Sequence, residues 1–343
     1  MEVTRALLEA LPKAELHVHL DGSLRPETMI ELARETGAAL PADTPDALAA
    51  AMHAGQTANL VEYLAKFELT LSVMQTGESL ERVAYELAED NARESVRYLE
   101  VRYSPILHTT GGLPLTETVD APLRGLARAH EVYGIRTGLI ICGIRNMDPE
   151  TSRDLADLTV AYKDKGVVAF DLAGAEYNYP AKKHKNAFFT VINKNMPTTI
   201  HAGEAYGPES IHQAIHYCRA NRIGHGTRLI EDPDLMAFIN DFRIPLEICL
   251  TSNVQTRAVP SLAEHPVRTY FDEGLVVTLN TDNRLISGTT LTDEYWLAHQ
   301  HLRFDWGELK SIARMGFESA FLHRREKEAL LAEAERETAR LEG

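Results

Sequence analysis

Cysteine is almost absent from this chain: three residues in 343, Cys142, Cys218 and Cys249, odd in number, widely spaced and without a CxxC pair. Neither a disulfide framework nor a cysteine-based zinc site is indicated. Cys142 and Cys249 lie in apolar runs and read as small core residues. No apolar run reaches the length of a membrane span, and Met1 to Leu11 carries Glu2 and Glu9 where a secretory leader would be basic and then apolar. Positive charge is short as well, with 35 Lys and Arg against 50 Asp and Glu and a formal net charge of −15. Such a chain has no long-range attraction to phosphate backbones or anionic lipid, so nucleic-acid and membrane partners lose support. A cytoplasmic protein is the expectation. Internal repeats and low-complexity linkers are missing too.

What is present is an ordinary globular composition, 44% apolar and 25% charged. The length fits two common domains or one α/β barrel with insertions. Short β-rich runs recur, each followed by a segment of helical period, which is the signature of a parallel sheet with crossover helices. Strands are expected near 15–20, 97–103, 135–142, 167–172, 198–201, 222–225, 244–249 and 276–281. Eight such strands close a TIM-type (β/α)8 barrel. The expectation is a single domain over 1–343, with a helical insertion at about 26–95 and a terminal helix at about 324–343. The insertion follows the first strand and is a lid candidate. The terminal helix, rich in Glu, Arg, Ala and Leu, reads as a solvated element without a functional role.

Polar residues fall at one end of these strands. Side chains at i and i+2 share a face, so His17 and His19 in AELHVHLDG converge while Leu16, Val18 and Leu20 take the other side. Asp171, His201, His225 and Asp282 end later strands. In a barrel this is the rim where reactive groups gather. Imidazole and carboxylate donors without thiolate suit catalytic zinc, although iron, cobalt or manganese accept similar ligands.

The motifs PKAELHVHLDGSLRPET, LAKF, EVRYSP, FDLAGAE, HAGE, RIGHGTRL and NTDN, spread over about Leu11 to Phe321, resemble the series found in the adenosine deaminase family of metal-dependent amidohydrolases. That resemblance implies one zinc ion per chain, held by His17, His19, His201 and Asp282, which lowers the pKa of a bound water toward ~7. It implies His225 as the base that takes the water's proton and steadies the hydroxide, aided by Asp282, and Glu204 as the acid that protonates N1 of a purine. Substrate contacts carried over are His19, Asp21 to the ribose 5′ hydroxyl, Gly174 to N3 and Asn283 to N7. Leu60, Tyr63, Leu64 and Phe67 match an apolar helix at the pocket entrance; they form an i, i+3, i+4, i+7 stripe, a spacing more often found in a core.

Simpler readings exist for some of these residues. Glu204 could be a carboxylate near the N-terminus of a helix beginning at Gly207, and Asp21 plain turn chemistry before Gly22. Asn283 departs from the family's animal members, which carry aspartate there; an amide donates to N7 at any pH, whereas a carboxylic acid must keep its proton. The implied reaction is hydrolytic deamination of adenosine and 2′-deoxyadenosine, with a small purine nucleoside as partner. Alternatives are adenine or another 6-aminopurine nucleoside or nucleotide, and a degenerate barrel that only binds. A nucleotide would want a cation near its phosphate, and Arg25 is the only obvious one in the motifs.

Overall fold

The computed structural model describes residues 2–55 and 59–342. Eight parallel strands form the centre: β1 Lys13–His19, β2 Val96–Tyr103, β3 Arg136–Ile144, β4 Val167–Ala173, β5 Thr199–Ala202, β6 Arg222–His225, β7 Leu246–Ile248 and β8 Val277–Leu279. Their ladders make two four-stranded sheets, β1 to β4 and β5 to β8. Single bridges, Phe170 to Thr198 and Val18 to Asp282, span the two seams in place of continuous ladders. The arrangement is that of a TIM-type barrel whose hydrogen bonding is interrupted at two seams. All eight expected strands are present, each bounded within a few residues of its expected range.

Strand interiors are buried on both faces, as a parallel sheet covered by helices requires. The barrel interior nevertheless holds fully buried charge, with Arg102, Glu100 and Glu247 at 0% exposure and Arg222 at 1%. Such groups are found inside only when paired.

The insertion after β1 is helical as expected: Pro26–Thr36, Pro45–Met52, Leu60–Leu64, Phe67–Val73 and Gly77–Arg93. Thr76 opens the last of these with a capping box shared with Ser79. Arg25 ties the β1 loop to that helix through Glu89 at 2.6 Å and Asp90 at 2.5 Å. Its guanidinium is therefore committed to carboxylates.

The helix Arg324–Glu342 has more of a role than its sequence suggests. Leu330 and Ala334 bury against Ala14, Leu16, Tyr98, Phe317 and Ala320, a second small core beneath the barrel. Arg97 pairs with Glu337 at 2.8 Å, and Trp306 Nε1 donates to Glu342 at 2.7 Å. Two apolar positions among many charged ones give little periodic signal, yet they dock the helix. Among the described residues, no helix is long and apolar enough to cross a membrane.

Candidate metal centre and its surroundings

His17 and His19 leave β1 on one face and meet residues from β5, β6 and the end of β8. His17, His201, His225 and Asp282 each bring one ligand atom within 4.8 Å of all the others. His19 joins them: its Nε2 lies 3.1 Å from His201 Nε2 and 3.4 Å from Asp282 Oδ1. All six polar residues expected at the rim, Asp171 included, are brought together. His225 and Asp282 have φ of 63° and 61°, a left-handed backbone that non-glycine residues adopt at a cost of about 1–3 kcal/mol when the surroundings demand it. Gly224 is required beside them, because a Cβ there would come within 3.0 Å of His17 Cε1.

The far nitrogens of two histidines are held by carboxylates. His17 Nδ1–H donates to Glu247 Oε2 at 2.8 Å, and His201 Nδ1–H to Asp171 Oδ2 at 3.0 Å. A carboxylate accepts only, so each ring turns the lone pair of Nε2 toward the cluster. His17 Nε2 is buried there without a hydrogen-bond partner. Converging lone pairs repel unless a cation sits among them. Arg102 donates to Asp171 at 3.1 Å and to Glu247 at 2.9 Å, while Arg222 donates to Glu247 at 2.6 Å and pairs with Glu100. Two guanidiniums thus face four carboxylates, Asp282 included. A divalent cation at the cluster balances the rest, so these residues fit a metal ion on donor chemistry and on charge.

Burial opposes charge on each of these acids, and their partners decide the outcome. Burial raises the Asp282 carboxyl, but His17, 3.4 Å away, and the neighbouring imidazoles hold it below the ordinary range. Burial likewise works against Glu247, and Arg102 and Arg222 bring it well down. Among the described residues Glu204 is in no ion pair with an Arg or Lys, and the opposing pull of Arg145 is the smaller effect. Burial and the negative charges of Asp282 and Glu176 push the Glu204 carboxyl well above the usual range, the state a proton donor needs.

Glu204 lies on the loop after β5, 5% exposed, with Oε2 3.6 Å from His225 Nε2 and Oε1 without a hydrogen-bond partner. The helix that follows starts at Pro208, so Glu204 is outside its first turn and the dipole reading fails. The loop is clamped by Glu176, which accepts the backbone N–H groups of Gly203, Glu204, Ala205 and Tyr206 at 2.6–3.0 Å. Arg145 grips the same segment by donating to the His201 carbonyl.

Asp21 is buried at 3% exposure; Oδ1 has no partner and Oδ2 lies 3.9 Å from His108 Nε2. Gly174 has φ of 92° at the end of β4, a conformation that suits glycine. Asn283 Nδ2 donates to Tyr63 Oη at 2.9 Å, and that hydroxyl meets Ser287 Oγ at 2.7 Å. The expected lid stripe is not continuous, because the helix Leu60–Leu64 stops and a second begins at Phe67. Bonds to the third preceding residue, such as Lys66 N–H to Tyr63, tighten the junction and break the period. Tyr63 and Phe67 still reach the centre, Phe67 with its ring 6.4 Å from that of His19. No contact of Leu60 or Leu64 with the cluster is observed among the described residues.

Sequence reasoning missed Glu247, Arg102 and Glu176, and gave Asp171 a place without a partner. A signal existed for the first two: a charged residue in the middle of an apolar strand, as in PLEIC and LEVRY, has to be paired.

A sequence model of the family described as adenosine deaminase matches residues 12–336. A probable adenosine deaminase of Dictyostelium discoideum is 42% identical over 322 residues, which cover 94% of this chain but 42% of that protein. An adenosine deaminase of Mycobacterium sp. (strain JLS) is 44% identical over 336 residues, 93% of each chain. Among solved structures, adenine deaminase from Arthrobacter aurescens has a TM-score of 0.89 at 28% identity, covering 95% of this chain and 98% of that one. A zinc-bound amidohydrolase from Burkhoderia ambifaria has 0.90 at 26%, covering 99% and 95%. The N6-methyl-AMP deaminase of Arabidopsis thaliana has 0.86 at 28%, covering 97% and 98%.

Proposed function

This chain belongs to the adenosine deaminase family, and from that membership we propose that it hydrolyses adenosine and 2′-deoxyadenosine to inosine and 2′-deoxyinosine with release of ammonia. The observation that carries the reading is the buried Glu204 carboxyl, held protonated by burial and by Asp282 and Glu176 against the pull of Arg145, and set beside a His and Asp cluster with inward lone pairs. Water adds its oxygen to C6, the bond from C6 to the amino nitrogen breaks, and ammonia leaves. Glu204 gives its proton to N1, which draws electrons from C6 and makes that carbon attackable; a positioned acid contributes about 10²- to 10⁴-fold.

His17, His19, His201 and Asp282 would hold one zinc ion. When bound, it supplies Lewis acidity that lowers the pKa of water toward ~7. His225 stands next to the attacking water, and Ser252 Oγ donates to Asp282 Oδ2 at 2.6 Å, fixing that carboxylate. Gly174 N–H meets N3, and the second N–H of Asn283 meets N7, its first being taken by Tyr63. Asp21, with an oxygen still open, accepts from the ribose 5′ hydroxyl. Arg25 is bound to Glu89 and Asp90, which argues against a nucleotide. Three free, buried cysteines fit a reducing cytoplasm.

Turnover of adenine, adenosine, 2′-deoxyadenosine and AMP, followed by the absorbance change from adenine to hypoxanthine, tests the reading. The nucleosides are expected to react at least about 100-fold faster than base or nucleotide, a difference of roughly 3 kcal/mol in transition-state binding. Reaction of the free base alone contradicts it.

A further inference from the structure

His225 differs from the other buried histidines of the site in what stands behind it. His17 and His201 are backed by carboxylates; His225 Nδ1 lies 3.0 Å from Asn253 Nδ2. Asn253 Oδ1 lies 3.2 Å from His265 Nε2, and His265 Nδ1 lies 3.1 Å from the backbone N–H of Val267. Asn253, His265 and His225 are all buried, at 0%, 3% and 1% exposure.

The backbone N–H at the end of this chain can only donate, which fixes every proton before it. His265 Nδ1 must offer a lone pair, so the proton of this neutral ring is on Nε2 and goes to Asn253 Oδ1. Burial alone pushes His265 down to about 3, in keeping with a neutral ring. The amide then has its NH2 toward His225, whose Nδ1 must accept. Turning the Asn253 amide over does not rescue the alternative. Its NH2 would face His265 Nε2, and that ring would need lone pairs on both nitrogens, whereas a neutral imidazole always carries one N–H.

The geometry points to Asn253 and His265 as positioning residues that set the tautomer of His225, so that its Nε2 presents a proton to the site. In this state the neutral ring donates to the oxygen that attacks the purine and cannot take that oxygen's proton. The proton goes to Asp282, or to Glu204 once it has given its own proton to N1. The same reasoning decides between His19 and His225 as metal ligand. His225 has one nitrogen occupied by Asn253 and the other protonated, so no lone pair is left for a cation. His17 and His201, with carboxylates behind them, have theirs turned inward.

The inference rests on the reading of His225 as the residue beside the attacking water. Nitrogen NMR of the metal-loaded protein labelled at histidine tests it, with His225→Gln used to assign the signal. A directly bonded proton on His225 Nε2 and none on Nδ1 is expected; a proton on Nδ1 overturns the inference. Asn253→Asp keeps the shape and replaces the donor by an acceptor, so the His225 proton moves to Nδ1. That variant is expected to bind metal as the parent does, to keep KM within about threefold and to lose at least about 100-fold in kcat, as a misplaced tautomer does in other His-dependent sites. Parent-like kcat in folded Asn253→Asp overturns the inference, and if that variant does not fold the parent spectrum decides alone. Full activity in His225→Ala would instead remove the reading on which the inference stands. An inactive His225→Ala with the proton on Nδ1 removes the inference only.

Discussion

Glu247→Gln is the substitution that asks most of the metal centre. The native carboxylate is fully buried and accepts from His17 Nδ1 at 2.8 Å and Arg102 at 2.9 Å on one oxygen, and from Arg222 at 2.6 Å and Thr199 Oγ1 at 2.8 Å on the other. An amide of the same shape retains one oxygen, so its NH2 must face one of these two donor pairs. One contact pair is lost, donors oppose donors, and the buried Arg102 and Arg222 lose the charge they share, each keeping one carboxylate, Asp171 or Glu100. Breaking a buried ion pair from one side costs about 3–5 kcal/mol. If the NH2 turns toward His17, that ring also loses the acceptor that aims its lone pair, and metal affinity is expected to fall about 10- to 100-fold. Chelator competition and thermal melting of the same sample measure both effects. Glu337→Gln is the control, since its bridge to Arg97 is partly exposed and costs under about 1 kcal/mol with no effect on metal. A Glu247→Gln protein that melts like the parent and binds metal within about threefold would refute the reasoning.

Glu204→Gln is expected to keep its metal and lose about 10²- to 10⁴-fold in kcat; steady-state kinetics with metal analysis checks this, and a fall of less than tenfold speaks against an acid at that position. Gly22→Ala would bring a Cβ within 1.8 Å of Asn283 Oδ1, displacing the amide from Tyr63; KM for adenosine should rise, with a stability loss of about 1–3 kcal/mol, and an unchanged KM contradicts the assigned position of Asn283. Glu294 is buried, and burial lifts its carboxyl to about 7 against the hydrogen bonds from Thr251 and Thr289. The folded chain keeps a proton that the unfolded chain releases, so Glu294 lowers stability as pH rises from about 4.5 to about 7. Glu294→Gln should flatten that part of the stability profile in melts across pH, and a variant slope equal to the parent's rules the assignment out.

The strands are legible because each is a short, largely apolar run, several of them closed by a polar residue, and that local pattern survives folding. His17, His19, His201 and Asp282 are legible for the same reason, since each ends such a run. The groups behind them are not. Glu247 reaches His17 across 230 positions, and no local period tells which strand end will face which ring. The hydrogen-bond chain from Val267 through His265 and Asn253 is equally silent in sequence, because a tautomer depends on what the other nitrogen meets. The stripe from Leu60 to Phe67 shows the opposite failure: its spacing suits one helix, yet the chain tightens after Tyr63 and divides it.

Metal content and adenosine turnover, determined on one preparation before and after chelation, test the central claim most directly. About one divalent ion per chain, loss of turnover when it is removed and return when zinc is restored are the predicted results. Full turnover by protein stripped of metal would contradict the account.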